Sequence, residues 1–336
     1  MSTQSHQSQR HQPGRIERML APANALRAAA LSLGLVAMAA GAAVDGEPAR
    51  AVDIGFVDIG PEFQLRRMLV RPAQPKGTVL FLHGFPETLH AWRGIAETLG
   101  KDYEVHAFDW PGYGQSSRPP VERFSYAPKD YAAVLKAYIE TSRIDTSRLV
   151  IYATDIGALP ALLLALDEPG IARNIVVGDF APFDRPQHMY ASLQSLKSKA
   201  SAEATRAHMN KTRDEILENA FRRGLPAHEQ FEVSQAFKDD MFAGWNRTAL
   251  TSADAFHHYY SHFTRDQNHL EANLHRLKTP VKVVWGEKDL YIDKGMGIEF
   301  AERIGARLEV LPGIGHYPHL QSPRQAVDEV RGLLGR

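Results

Sequence analysis

Three residues with acid, base or nucleophile chemistry each follow an apolar run of this chain. Asp155 stands just after the run 149–153, Asp289 after the run 281–285, and His316 after the run 308–311. Open α/β sheets build their sites at the carboxyl ends of parallel strands. The order along the chain is therefore a nucleophile candidate, an acid and a histidine, all expected at one edge of a sheet.

The turn at Asp155 is the most informative of the three. An apolar run enters it, and an apolar helical pattern begins at Ala158, with Gly157 between them. A sharp strand-to-helix turn lifts its corner side chain to the helix N-terminus, where backbone N–H groups stabilise negative charge. Asp is also a preferred helix cap. The turn alone leaves both roles open.

Two loops favour the chemical role. The sequence His83-Gly-Phe-Pro-Glu87 follows the apolar run 78–82, and its backbone N–H groups are placed to bind a developing oxyanion. His316 lies in a Gly- and Pro-rich loop after the last apolar run.

The elements that must position these residues alternate between strand-like and helical patterns. This alternation predicts a parallel sheet covered on both faces. The segment from 181 to 277 is rich in charged and polar residues at helical spacings and predicts a helical insertion. The candidate strands are 78–82, 105–108, 149–153, 174–177, 281–285 and 308–311.

Composition excludes several classes of protein and of site. The 336 residues contain 39 basic and 39 acidic side chains, so a nucleic-acid-binding surface is not indicated. Cysteine is absent, which removes thiolate catalysis and Cys-ligated metals. No glycine-rich phosphate loop follows a strand, so no cofactor is expected. His258 and His262 have a spacing that can bind metal, but they lack a carboxylate pattern and no metal is expected.

The first part of the chain has the pattern of a signal peptide. Arginines precede a short apolar stretch over residues 28–43, and Ala40-Gly-Ala42 offers small residues for cleavage. The stretch is short for a membrane span. We expect residues 1–42 to be a signal peptide and the protein to be exported, periplasmic or secreted; an attached anchoring helix is the alternative.

From about residue 54 to its end, the chain resembles α/β-hydrolase fold enzymes with an Asp nucleophile. The resemblance includes Asp109-Trp-Pro-Gly-Tyr-Gly114 and the helical insertion. It implies a mostly parallel twisted sheet flanked by helices, with core segments 48–180 and 278–336 and an inserted helical cap over 181–277.

Matched to the family, Asp155 is the nucleophile, His316 the base and Asp289 the acid. The oxyanion amides fall on Phe85 and Ile156. Ala153 departs from the glycine of serine-type members, which Asp-type members often lack.

The acid has alternatives. Asp179 follows the strand 174–177, a position from which some haloalkane dehalogenases supply their acid, and Glu287 lies two residues before Asp289. Asp289 is favoured over Asp179, because either loop could reach the histidine and orient its Nδ1.

A carboxylate needs no base before it attacks, because it is ionised at neutral pH. Asp155 could displace a leaving group at an sp³ carbon and form an ester. His316 would then activate water against that ester. The expected partners are a small apolar organic substrate and water, and the oligomeric state is not predicted.

Epoxides and alkyl halides are the two substrate classes that fit. Epoxide opening needs a proton donor, and Tyr259 and Tyr190 resemble the cap tyrosines of epoxide hydrolases. Many haloalkane dehalogenases have a Trp after the nucleophile, where this chain has Ile156; Trp245 is a weaker halide candidate. We expect an epoxide hydrolase, with a haloalkane dehalogenase as the first alternative and a catalytically silent binding protein as the second.

Overall fold

The computed structural model describes residues 51–335. The predicted signal peptide over residues 1–42 lies outside this range. The strands are β1 Asp53–Gly60, β2 Phe63–Val70, β3 Thr78–Leu82, β4 Glu104–Phe108, β5 Leu149–Thr154, β6 Asn174–Gly178, β7 Val281–Gly286 and β8 Leu308–Leu311. The helices are α1 Arg93–Leu99, α2 Pro128–Thr141, α3 Ala158–Asp167, α4 Ala191–Lys197, α5 Ala202–Lys211, α6 Arg213–Asn219, α7 Gln235–Trp245, α8 Ser252–Ala272, α9 Lys294–Ile304, α10 Pro318–Gln321 and α11 Pro323–Leu334.

A single eight-stranded sheet organises the described chain, in the order β1-β2-β4-β3-β5-β6-β7-β8. The strands β3 to β8 are parallel. Every residue of β3 and β5 is buried, as expected for strands covered on both faces. The mostly parallel α/β sheet predicted from the sequence is confirmed, and all six candidate strands are present with ends that differ by at most one residue.

The sequence did not predict β1 and β2. They form an antiparallel hairpin, and β2 pairs antiparallel with β4. β1 contains two Asp and two Gly residues, which are depleted in strands, and its exposed and half-buried residues show that much of it faces solvent. The continuous apolar signal of the central strands is therefore missing here.

Between β6 and β7 the chain forms helices α4 to α8 and short turns. These helices lie within residues 181–277, and we call α4 to α8 the helical insertion. Arg66 of β2 connects it to the sheet: its guanidinium donates to Asp109 at 2.6 Å and to both oxygens of Asp240 on α7 at 2.6 and 2.7 Å. Thr88 also donates to Asp240 at 2.6 Å.

Among the helices within residues 51–335, none combines the length and hydropathy that crossing a membrane requires.

The buried Arg66 pair predicts a stability effect. Asp240→Ala removes one of the two carboxylates that compensate a guanidinium with 3 % exposure. Breaking a buried ion pair on one side is strongly destabilising, so we expect a loss of about 3 kcal/mol in the free energy of unfolding. Denaturant unfolding measures this loss. The control is Asp239→Ala, since Asp239 is the exposed neighbour on the same helix. Equal stability of the two variants would contradict the role given to Asp240.

Candidate functional site

Asp155 occupies a strained corner between β5 and α3. Its φ of 47° lies in the left-handed region, which non-glycine residues rarely adopt. Its carboxylate does not cap the helix. Instead, its Oδ2 accepts a hydrogen bond from the N–H of Phe85 at 2.8 Å. Of the two roles that the sequence left open, the geometry therefore favours a chemical one over a cap.

The loop after β3 can approach Asp155 because residue 84 is glycine. A Cβ atom on Gly84 would lie 2.7 Å from Cβ and 2.9 Å from Oδ2 of Asp155. Such contacts are too short for any side chain. The glycine thus permits the Phe85 N–H to reach the carboxylate.

His316 follows β8 and is held by the loop after β7. Its Nδ1 donates to Oδ2 of Asp289 at 2.8 Å, while Oδ1 of Asp289 accepts from the N–H groups of Tyr291 and Ile292 at 2.8 and 3.1 Å. The imidazole is thereby fixed in orientation, with Nε2 left for chemistry. The structure therefore brings His316 together with Asp289, the acid that the sequence analysis favoured.

Asp179 lies beside this pair, and no hydrogen bond joins it to Nδ1 in the described chain. Its Oδ1 accepts from the N–H of Gly286 at 2.9 Å. A nitrogen or oxygen atom from each of Asp179, Asp289 and His316 lies within 4.8 Å of the others in the described chain. The other alternative acid, Glu287, is exposed and accepts from the N–H of Gly313 at 3.0 Å, away from the imidazole.

Asp155 and His316 line one cavity of about 330 Å³, a size typical of small-molecule sites. Near the sheet its walls are aromatic. The helical insertion adds apolar side chains, and polar and charged ones farther along α5, α6 and the turn after α6. The apolar wall includes Phe85, Leu193, Leu196, Met209, Ile216 and Phe256, and the polar wall includes Thr205, His208, Thr212, Glu215 and Arg223.

Burial and charge oppose each other at the two reactive groups. Burial raises the pKa of Asp155 to about 6, although the His316 charge and the Phe85 hydrogen bond act to lower it. Burial also disfavours the imidazolium of His316, but the charge and hydrogen bond of Asp289, with the charge of Asp155, raise its pKa to about 9. In the free protein at neutral pH the two groups therefore form a carboxylate and imidazolium pair.

The predicted proton donors differ in their surroundings. Tyr190 lines the cavity, and its hydroxyl has no hydrogen-bond partner among residues 51–335. The hydroxyl of Tyr259 donates to the carbonyl oxygen of Ile156 at 3.1 Å, and Tyr259 is absent from the cavity walls of the described chain. The structure therefore does not bring Tyr259 to the cavity.

Sequence reasoning passed over the neighbouring Tyr260. Its ring lies 4.8 Å from that of Phe256, which lines the cavity one helical turn earlier. Burial and the Asp155 charge raise the pKa of its hydroxyl well above the usual range. Like Tyr259, it is absent from the cavity walls of the described chain, so its contact with the site is through Phe256.

Two other predicted residues have defined surroundings. Ile156 is buried directly after Asp155, at the start of the helical turn where the second oxyanion amide is predicted. Trp245 is buried, and its indole N–H donates to Asn210 at 3.2 Å. That N–H is therefore engaged within the helical insertion.

Contacts that the sequence did not predict fix the loop of Phe85. The Gly84 N–H donates to Oε2 of Glu87 at 2.7 Å, and Oε1 of Glu87 lies 2.7 Å from Nε2 of His319. The hydroxyl of Tyr317 donates to the carbonyl oxygen of Phe85 at 2.9 Å. The Glu87–His319 and Phe85–Tyr317 pairs are each 232 residues apart in sequence, too far for any local pattern to reveal.

Comparisons with known proteins agree with this architecture. The family model described as alpha/beta hydrolase fold matches residues 77–323. A haloalkane dehalogenase from Bradyrhizobium diazoefficiens is 33% identical over 144 residues, 42% of this chain and 44% of that protein. Epoxide hydrolase 4 from Mus musculus is 31% identical over 105 residues, 31% of this chain and 28% of that protein.

This chain thus aligns with less than half the length of each of these two relatives. Among solved structures, Cfl2 from Burkholderia cenocepacia has a TM-score of 0.70 at 20% identity, covering 86% of this chain and 97% of that one, a likeness of fold. Because the family match spans most of the sequence, this chain belongs to the alpha/beta hydrolase fold family.

Proposed function

We propose that the protein is an epoxide hydrolase that converts an epoxide and water to a diol through an ester on Asp155. The observation that carries this proposal is the unpartnered hydroxyl of Tyr190 in the same cavity as Asp155 and His316. An epoxide leaves its oxygen attached to the substrate, so the reaction requires an acid at the site as well as a nucleophile.

In the first step an oxygen of Asp155 forms a bond to an epoxide carbon, and the bond from that carbon to the ring oxygen breaks. The resulting alkoxide takes the Tyr190 proton. The apolar wall of the cavity suits a small apolar epoxide, because it excludes water from the reacting carbon.

In the second step His316 removes a proton from water, and the hydroxide attacks the ester carbonyl carbon of Asp155. The N–H groups of Phe85 and Ile156 hold the oxyanion. The proton that His316 carries in the free protein first passes through solvent to the Tyr190 phenolate, which frees the imidazole to act as base. When the intermediate collapses, the bond from the carbonyl carbon to the diol oxygen breaks and that oxygen takes the proton of the attacking hydroxide. The carboxylate is restored, and the proton taken from water leaves His316 as the imidazolium of the free protein.

The ester also changes the base. A neutral ester no longer supplies the negative charge that helps to raise the pKa of His316. The imidazole therefore becomes easier to deprotonate at the stage where a neutral base is needed.

Dehalogenation is the second candidate, because the haloalkane dehalogenase relative aligns over a longer segment than the epoxide hydrolase. The site offers less to a halide leaving group. The Ile156 side chain carries no N–H, and the Trp245 N–H is bonded to Asn210. Epoxide hydrolysis is therefore the function we favour.

Trapping of the ester tests the nucleophile and the substrate class together. We expect His316→Gln to accumulate an adduct on Asp155, because alkylation does not need the base whereas hydrolysis does. Intact-mass analysis distinguishes the classes: an epoxide adds its whole mass, whereas a haloalkane adds its mass less that of the hydrogen halide. The double variant Asp155→Asn, His316→Gln is the control. If neither a set of epoxides nor a set of haloalkanes gives an adduct, and the wild type turns over none of them, a silent binding protein is favoured.

Substitution of the tyrosines tests the acid. Loss of a general acid costs about 10²-fold or more in rate, so we expect that loss of epoxide opening in Tyr190→Phe. Tyr259→Phe is the matched control, which removes one hydrogen bond worth about 1 kcal/mol and should leave ring opening within a few-fold. Single-turnover adduct formation measures both. If Tyr259→Phe loses more of the ring-opening rate than Tyr190→Phe, the general acid is Tyr259 instead.

The raised pKa of Asp155 predicts that kcat/KM decreases at acidic pH. Only the carboxylate attacks, so kcat/KM should fall about tenfold per pH unit below the Asp155 pKa of about 6 and level off above it. An unperturbed Asp would place this decrease near pH ~4. The pH profile of kcat/KM is the measurement, and a plateau that extends down to the lower value would contradict the effect of burial.

A further inference from the structure

Asp179 is a buried carboxyl group to which the proposed reaction gives no role. It is 1 % exposed and follows β6 with a φ of 51°. The end of β6 packs tightly on β7, since a Cβ atom on Gly178 would lie 2.0 Å from the carbonyl oxygen of Val284. This packing places the Asp179 side chain beside Asp289, the partner of the proposed base.

The two carboxyl oxygens of Asp179 differ in their hydrogen bonding. Oδ1 accepts from the Gly286 N–H, whereas Oδ2 is buried with no hydrogen-bond partner in the described chain. An ionised carboxylate accepts hydrogen bonds and donates none. A buried, unpaired carboxylate oxygen beside a second carboxylate is therefore doubly unfavourable.

A proton on Oδ2 removes both penalties. The protonated group becomes a donor, and a nitrogen or oxygen of His316 and a carboxylate oxygen of Asp289 lie within 4.8 Å of an oxygen of Asp179. The Nδ1 of His316 is itself a donor to Asp289, so the acceptor near the proton is the Asp289 carboxylate. Carboxyl pairs in enzymes share a single proton for the same reason.

We propose that Asp179 carries a proton at neutral pH and donates it to Asp289, acting as a positioning residue for His316. Asp289 then accepts from two backbone N–H groups, from His316 and from Asp179. The shared proton limits the negative charge that Asp289 presents to the imidazole, so that His316 can lose its own proton once Asp155 is esterified. The inference rests on the proposed function, in which His316 is the base.

The surrounding charges agree with this state. Burial, reinforced by the charge of Asp289, raises the pKa of Asp179 well above its usual range, although the His316 charge acts in the opposite direction. A charge on Asp179 would act on His316, whose pKa it would help to raise, and on Tyr152 of β5. Burial raises the pKa of the Tyr152 hydroxyl well above the usual range, so it remains neutral.

The decisive comparison uses Asp179→Asn, which keeps a neutral donor at the same position. Asn tolerates the left-handed backbone of residue 179. If Asp179 is already neutral, the NMR titration of the His316 imidazole in this variant should match wild type. If Asp179 is ionised, loss of its charge should lower the His316 pKa by about one unit or more, which would overturn the proposal.

Infrared spectroscopy observes the proton itself. The wild type should show the carbonyl band of a buried protonated carboxyl group at neutral pH, shifted in heavy water and absent from Asp179→Asn. Asp58→Asn, at an exposed position on β1, is the control and should keep the band. A wild type without such a band would overturn the proposal.

Removal of the donor tests its effect on the base. In Asp179→Ala the His316 pKa should rise by about one unit, because Asp289 regains its full charge. The pH profile of ester hydrolysis should move in the same direction. An unchanged pKa would contradict the positioning role; if this variant does not fold, the Asn and infrared results still decide. Neither NMR nor infrared requires a substrate, so a failure here is distinguishable from a failure to form the Asp155 adduct.

Discussion

A buried carboxylate that lines a cavity is the constraint on which this structure depends. Burial acts against the charge of Asp155, and its pKa rises to about 6 rather than higher because two partners offset that cost. One is the N–H of Phe85 and the other is the positive charge of His316. Asp155 remains ionised at neutral pH, and within residues 51–335 its carboxylate accepts one hydrogen bond, which it would lose on attack in the proposed reaction.

Those two partners are themselves held by further contacts. Gly84 allows the Phe85 loop to approach Asp155. The same loop is held by Glu87, which accepts from the Gly84 N–H and pairs with the buried His319. Asp289 orients the imidazole through its hydrogen bond with Nδ1. The mutual geometry of carboxylate, amide and base thus follows from loops that all leave the same end of a parallel sheet, which is why the fold and the site cannot be separated.

The parts that could be predicted from sequence are those with a local signal. Buried parallel strands give continuous apolar runs, and the strand-to-helix turn at Asp155 has a recognisable pattern. The hairpin of β1 and β2 lacked such a signal, because half-exposed strands with Asp and Gly resemble turns. The environments of Asp179 and Tyr259 could not be predicted either, since they depend on which neighbour each side chain meets across the sheet or the helical insertion. Whether a side chain is buried, and whether a buried oxygen lacks a hydrogen-bond partner, depends on the packing of the folded chain and has no local sequence signal.

The hydrogen bond from Tyr317 to the carbonyl of Phe85 has a consequence for biosynthesis. It joins segments separated by 232 residues, and His316, the proposed base, precedes Tyr317 by a single position. A nascent chain still lacking β8 and the loop beyond it would have its carboxylate and much of its sheet, but neither the imidazole nor the tether of the amide loop. Under the proposed function, the complete site therefore forms only after this last part of the chain has been synthesised, and a truncated product that retains Asp155 would lack the residue proposed to hydrolyse its ester.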